Sequence, residues 1–209
     1  MSDMAFPRFR AAALGAAAIT LTLTACAPPG QGGAPGVAAT YEGHTVTNTV
    51  IAAIDAAWTF DTKGKDVANR RQILTIELLR DDLLAKCKEL GTPVSLTTAK
   101  SYADQWITFK GETGEASDEV IAATQGILAL TVVVYSDPTL DSLRTISDNA
   151  AKTAQVSPRS GEYSTDALLA SVNTAMQSVQ NQQLGQFAYT EFQNVTAFKD
   201  EDRAWFDRG

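Results

Sequence analysis

Few residues of this 209-residue chain are of types that carry out chemistry: His44 is its one histidine, and Cys26 and Cys87 are its two cysteines. A Ser-His-Asp site, a Cys-His pair or a zinc cage would have to share these three side chains, so most hydrolytic and metal templates are emptied at once. His44 falls in a short turn-like stretch, where a lone histidine reads as solvated rather than catalytic. The carboxylate clusters Asp81-Asp82 and Asp200-Glu201-Asp202 lack the alternating oxygen-ligand spacing of a calcium loop and read as solvated acidic faces. Asn194-Val195-Thr196 fits a glycosylation sequon and carries little weight. No glycine-rich phosphate loop follows a strand. With 17 basic and 24 acidic residues the net charge is −7, which argues against nucleic acid or an anionic surface as an electrostatic partner. The expectation is a binding protein rather than an enzyme, with no cofactor and no metal.

One cysteine has a chemistry of its own. Arg8 and Arg10 precede an uncharged run from Ala11 to Leu23, the layout of a secretory signal, and the run is too short to span a bilayer comfortably. It ends in Leu23-Thr24-Ala25-Cys26, which resembles the bacterial lipobox, in which a signal peptidase cuts before a cysteine that becomes acylated. The resemblance implies a signal peptide at residues 1–25 and a lipidated Cys26. Removing 25 residues from 209 leaves 184, and losing Arg8, Arg10 and Asp3 takes the net charge from −7 to −8. Two acyl chains at one cysteine meet the two-signal requirement for stable anchoring, so an acidic protein can reside at the cell membrane, on its extracytoplasmic face. Cys87 is then the one cysteine left over. It lies on an apolar helical stripe and reads as a buried small hydrophobe.

Residues 26–36 form a Pro- and Gly-rich tether, with three prolines and four glycines between Ala27 and Gly36. Its root-mean-square span is roughly 17 Å. Val37 to Val46 has two β-prone pieces around Glu42-Gly43-His44, the pattern of a hairpin. Thr47 or Asn48 can cap a first helix carrying Val50, Ile51, Ile54, Ala57 and Trp58. The spacing of Val67, Ile73, Leu74, Leu78, Leu83, Leu84, Cys87 and Leu90 predicts a long helix from about residue 66 to 90, stopped by Gly91 and Pro93. Further helices are expected from Ser95 or Thr97 to Gly111, from Ser117 through Tyr135, from Asp137-Pro138 to about Lys152, and from a Thr165 cap through Val179. Val156 to Tyr163 reads as an extended piece plus a turn. Whether the aromatic and acidic tail through Trp205 and Phe206 lies on the body or frays is left open by the sequence. The fold class expected is mainly α: a bundle of about five to six amphipathic helices with a short two-stranded β element.

This order of elements resembles the SurA N-terminal-like domain of bacterial extracytoplasmic chaperones. There an A-x-V-N-G-x-x-I-T segment pairs with a later V-N-P-R-[FY]-G segment and closes a helical domain. Ala38-Ala39-Thr40-Tyr41-Glu42-Gly43-His44-Thr45-Val46-Thr47 stands at the first position, and Val156-Ser157-Pro158-Arg159-Ser160-Gly161-Glu162-Tyr163 at the second. The stretch Asn69-Arg70-Arg71-Gln72-Ile73-Leu74 to Glu89-Leu90-Gly91-Thr92-Pro93-Val94-Ser95 is similar to the family's long helix and its terminal E-L-G phrase. Glu42, Ser157 and Ser160 depart from the family's Asn, Asn and aromatic residues. The resemblance covers residues 37–164, with residues 165–209 as a C-terminal helix and tail. It implies that the start pairs with the P-R-x-G segment, of which Pro158, Arg159 and Gly161 are the structural residues, Arg159 holding a carboxylate that pins the two ends. Many family members carry a parvulin-type isomerase domain of roughly 90 residues; the stretch beyond Ser164 is expected to be too short and too helical for one.

The resemblance further implies a groove of apolar and aromatic side chains that accepts unfolded secreted or envelope proteins. Tyr41, Trp58, Tyr102, Trp106, Phe109 and Tyr135 are the candidates, and core packing competes for each of them. Three functions stay open: a membrane-anchored chaperone-like module without isomerase activity, a small-ligand or lipid-binding lipoprotein with a closed apolar cavity, and a structural partner of an envelope complex that docks through its aromatic tail.

Overall fold

Glu42 and Gly43 both take positive φ, 48° and 82°, the two-residue turn that matches the right-handed twist of its flanking strands. It joins β1 (Val37–Tyr41) to β2 (His44–Thr47) in antiparallel register, Tyr41 opposite His44 and Ala39 opposite Val46, with a bulge between Val37 and Ala39. The structure, a computed structural model, describes residues 36–65, 68–182 and 184–199. The expected signal peptide, the lipobox-like residues Leu23, Thr24 and Ala25, Cys26, Val67, the cluster Asp200-Glu201-Asp202, and Trp205 and Phe206 lie outside them.

Six α-helices are present among the described residues: α1 (Asn48–Asp61), α2 (Arg70–Glu89), α3 (Leu96–Phe109), α4 (Asp118–Ser136), α5 (Asp141–Thr153) and α6 (Thr165–Gln182). The Thr47 side chain caps α1 by accepting from the Val50 amide. Asn69 and Gln72 form a reciprocal capping box at the head of α2. Where the stripe suggests a start near residue 66, this box sets it at Arg70. The fold is mainly helical, as expected, but its β element has three strands. β3 (Gln155–Val156) pairs antiparallel with β1, Ala39 opposite Val156 and Thr40 opposite Gln155, so that β1 lies in the middle of the order β2-β1-β3.

Two expected helix starts differ. Asp137-Pro138 does not open α5: it begins a turn that ends at Leu140, which is left-handed at φ 61° yet almost fully buried, and α5 starts one residue later. The Asp137 carboxylate still serves the helix, accepting from the Thr139 amide and hydroxyl and from the Ser142 amide, which holds its pKa down at about 2. Thr165 is likewise not the cap of α6. Ser164 accepts from the Ala167 and Leu168 amides, while the Thr165 hydroxyl donates to Asp148.

α4 runs through the core. By length and composition it could cross a membrane, but more than half of it is buried inside the body, with Ile127, Ala129, Leu130, Val133 and Val134 almost fully enclosed. Its Gly126 meets α2 at so short a distance that a Cβ would stand 2.5 Å from Ile76 Cγ2. Cys87, fully buried on α2, donates to the Ala129 carbonyl of α4, and burial pushes its thiol pKa up.

The chain after α6 lies on the body up to Lys199. A 3₁₀ segment, Gly185–Asn194, places Tyr189 and Phe192 in the core, and Val195, Ala197 and Phe198 are buried beside them. Glu162 and Ser164 then hold residues 197–199 through backbone bonds, with Tyr163 opposite Phe198.

Glu77 is the buried carboxylate of this core, 4 % exposed and bonded at 3.0 Å to Arg80 one turn on. Burial raises its pKa, and Arg80 and His44 only partly oppose that. A folded-state pKa above the unfolded value means that the native state holds the proton more tightly. Stability is therefore lost as pH rises from about 4.5 through the raised value. Glu77→Gln is expected to abolish that loss in urea titrations across pH 4.5 to 8; an unchanged pH slope would contradict the assignment.

Candidate functional site

The six aromatic candidates separate by burial. Tyr41, Trp58 and Trp106 are 5 %, 4 % and 7 % exposed and belong to the core, so they are not available as open groove residues. The reason is local: Tyr41 closes the hairpin against α2, donating to Asp82 at 2.6 Å, while Trp58 and Trp106 fall on the buried stripes of α1 and α3. Asp82, expected to be merely solvated, is thus a partner of the sheet. Burial, reinforced by the bond to Asp82, lifts the tyrosine pKa far above its ordinary value. Tyr102 is half-buried, packed edge-on against Tyr189, whose hydroxyl donates to the Tyr102 carbonyl. Tyr135, 51 % exposed, lies edge-on against Phe192. Phe109, 58 % exposed, is the candidate that opens most fully onto solvent.

Around Phe109 a cleft does form. Its ring stacks on Trp106 with centroids 5.3 Å apart and meets Phe187 at 4.6 Å, and Phe187 also touches Trp106. The Lys110 ammonium lies 4.2 Å above the Trp106 ring, a cation–π contact at the lip. Asp104, Gln105 and Thr108 complete an open, mainly apolar depression of about 400 Å³ between α3 and the 3₁₀ segment. At its edge burial pushes the Asp104 pKa up, but the bonds from the Ala116 amide and Lys100 together outweigh that and lower it. Phe187 is not marked by the sequence, since it sits in a glutamine-rich stretch without periodicity; only its aromatic character could have pointed to it.

A second depression, of mixed polarity and about 420 Å³, lies between the hairpin turn, α2 and α5, lined by Tyr41, Glu42, Asp82, Lys86, Glu89 and Asp141 among others. Among the described residues no group of three His, Cys, Asp or Glu side chains is placed to hold a metal. A small apolar gap beside Trp58, Ile76 and Ile127 has a volume of about 10 Å³, room for one water.

The P-R-x-G segment is a turn. The Ser160 amide donates to the Ser157 carbonyl, and Gly161 has φ 92°. The resemblance gives Arg159 a carboxylate to hold; instead Pro158 and Arg159 project outward, and no ion pair joins Arg159 to a described carboxylate. The ends are joined by other groups. The Ser157 amide and the buried Ser160 hydroxyl both donate to the Ala38 carbonyl, and Lys199 pairs with Glu162.

No family model, curated protein or solved structure matches this chain.

Proposed function

We propose that this chain is a membrane-anchored, extracytoplasmic, chaperone-like lipoprotein of the SurA N-terminal-like kind, which holds unfolded secreted or envelope chains without isomerising prolines. The anchor is Cys26, on the strength of Leu23-Thr24-Ala25-Cys26 after a basic and an apolar run. The observation that carries the binding role is the aromatic cleft of Phe109 and Phe187, backed by the buried Trp106 ring and large enough for one or two apolar side chains of an extended client. The pairing of β1 with β3, and of Ser157 with Ala38, supports the family reading, because it is the closure that reading requires. A ligand-binding lipoprotein gains no support from the apolar gap of about 10 Å³ beside Trp58.

The chain at equimolar ratio is expected to delay light scattering of a reduced or diluted-denaturant client. Phe109→Glu is expected to remove most of that delay, whereas Phe60→Glu, on another exposed face, leaves it intact. A client whose scattering is unchanged by the native chain would sink the proposal.

A further inference from the structure

The helix next to the tether turns an uncharged face outward. Residues Thr49, Ala52, Ala53, Ala56, Thr59 and Phe60 of α1 are all exposed, and on a 3.6-residue helix they share one arc. Val50, 41 % exposed, borders the arc; Phe60 stands out at its far end with 72 % of its surface in solvent. The two charges of α1 lie elsewhere: Asp55 is half-buried on the flank, and Asp61 accepts from the Ser117 amide and hydroxyl of the α4 cap. Just beyond the helix, Lys63 continues the arc and places its ammonium 4.4 Å above the Phe60 ring. An outward face that is apolar, aromatic at one end and closed by a lysine over that aromatic is the pattern of a helix lying in a membrane interface.

The route of the chain says what the face meets. The Gly36 carbonyl accepts from the Asn48 amide, so the end of the tether is bonded to the first turn of α1. From there to Phe60 is twelve residues of helix, about 18 Å along the axis. The tether from Cys26 has a root-mean-square span of roughly 17 Å and a greatest reach of about 35 Å. An acylated Cys26 therefore holds the first turn of α1 within the tether's reach of the bilayer. At such effective concentration even a weakly apolar face is occupied.

We propose that the outer face of α1 lies on the lipid headgroup surface and sets the orientation of the anchored body, turning the cleft of Phe109 and Phe187 to a fixed side. The proposal rests on the lipid-anchor reading of Cys26. The face docks a neutral interface through Phe60 and Val50, not an anionic one through charge, consistent with the chain's net −7.

The test uses the acylated full chain in vesicles of the neutral lipids phosphatidylethanolamine and phosphatidylcholine that contain headgroup-depth nitroxide lipids. A fluorophore is placed on Ala56→Cys or, as a reference, on Asn173→Cys of α6, each with Cys87→Ala. At position 56, quenching of about twofold or more is expected, against little at position 173, because interfacial helices bury an apolar face roughly 5–10 Å deep. Adding Phe60→Glu, at a site too exposed to disturb folding, is expected to return the signal at position 56 to the reference level. Equal quenching at both positions in an acylated chain would overturn the proposal while leaving the anchor intact. So would a 56-to-56 disulfide between copies forming as readily in detergent as in vesicles, since the face then belongs to a second copy. A chain extracted from membranes with Cys26 unacylated by mass overturns the anchor and, with it, the occupant of the face.

Discussion

Phe192→Ala is expected to lower the stability of the body by about 3–5 kcal/mol, the usual cost of truncating a buried phenylalanine to alanine. Phe192 has no measurable exposure, lies in the 3₁₀ segment beyond α6, and meets Tyr135 of α4 edge-on at 6.0 Å. Around it Tyr189, Val195, Ala197 and Phe198 are buried as well. The segment is further stitched to the head of α2, where the Gln72 side chain donates to the Asn194 carbonyl and the Ala197 amide donates to Thr75. Removing the ring leaves a cavity whose walls belong to separate elements and cannot collapse easily, which favours the upper part of the range. Urea denaturation with an unchanged m-value is the measurement; a loss below about 1 kcal/mol would show the 3₁₀ segment to be a peripheral strap. The same packing makes a deletion of residues 185–209 a poor probe of partner docking, because it removes core before it removes any docking peptide.

Gly126→Val is expected to cost about 3 kcal/mol, at the upper end of overpacking penalties. Two effects compete when glycine in a helix gains a side chain. Alanine in place of glycine normally favours helix by about 1 kcal/mol, but at Gly126 a Cβ would come within 2.5 Å of Ile76 Cγ2, closer than carbon atoms tolerate. Valine keeps little of the helix gain and adds two methyl groups to the clash, so the steric term decides. The origin of the cost can be isolated. Ile76→Ala removes the obstructing methyl, and the pair Gly126→Ala with Ile76→Ala is expected to be less destabilising than the sum of the two by at least about 0.5 kcal/mol. Strict additivity would place the strain elsewhere.

Much of the scaffold is legible in the sequence because local chemistry and the fold agree. Glu42-Gly43-His44 reads as the middle of a hairpin, Thr47 or Asn48 as a cap, of which the fold uses Thr47, and the apolar stripe stopped by Gly91 as a long helix. The start of α5 is not legible, because Asp137-Pro138 looks like a cap and first turn. Its carboxylate reaches across to Ser142, and the left-handed strain at Leu140 is offset by burying its side chain, neither of which a linear pattern displays. The 3₁₀ segment has no 3.6-residue period to detect. For the site, an aromatic's place along its stripe matters more than its presence there: Trp58 and Trp106 face inward, while Phe109, at the last turn of α3, passes beyond the body that would cover it. Phe187 reaches the same cleft from far along the chain, a meeting only the tertiary fold creates.

The middle place of β1 has a mechanical meaning. A pull applied ahead of Gly36 runs straight into a strand bonded on both edges, to β2 on one side and β3 on the other. A pull along β1 loads both ladders in shear, so their bonds must fail together, whereas a strand on the outside of a sheet could be peeled bond by bond. Force arriving at the start of β1 is thus shared by two ladders, an arrangement that would suit the membrane anchor proposed above.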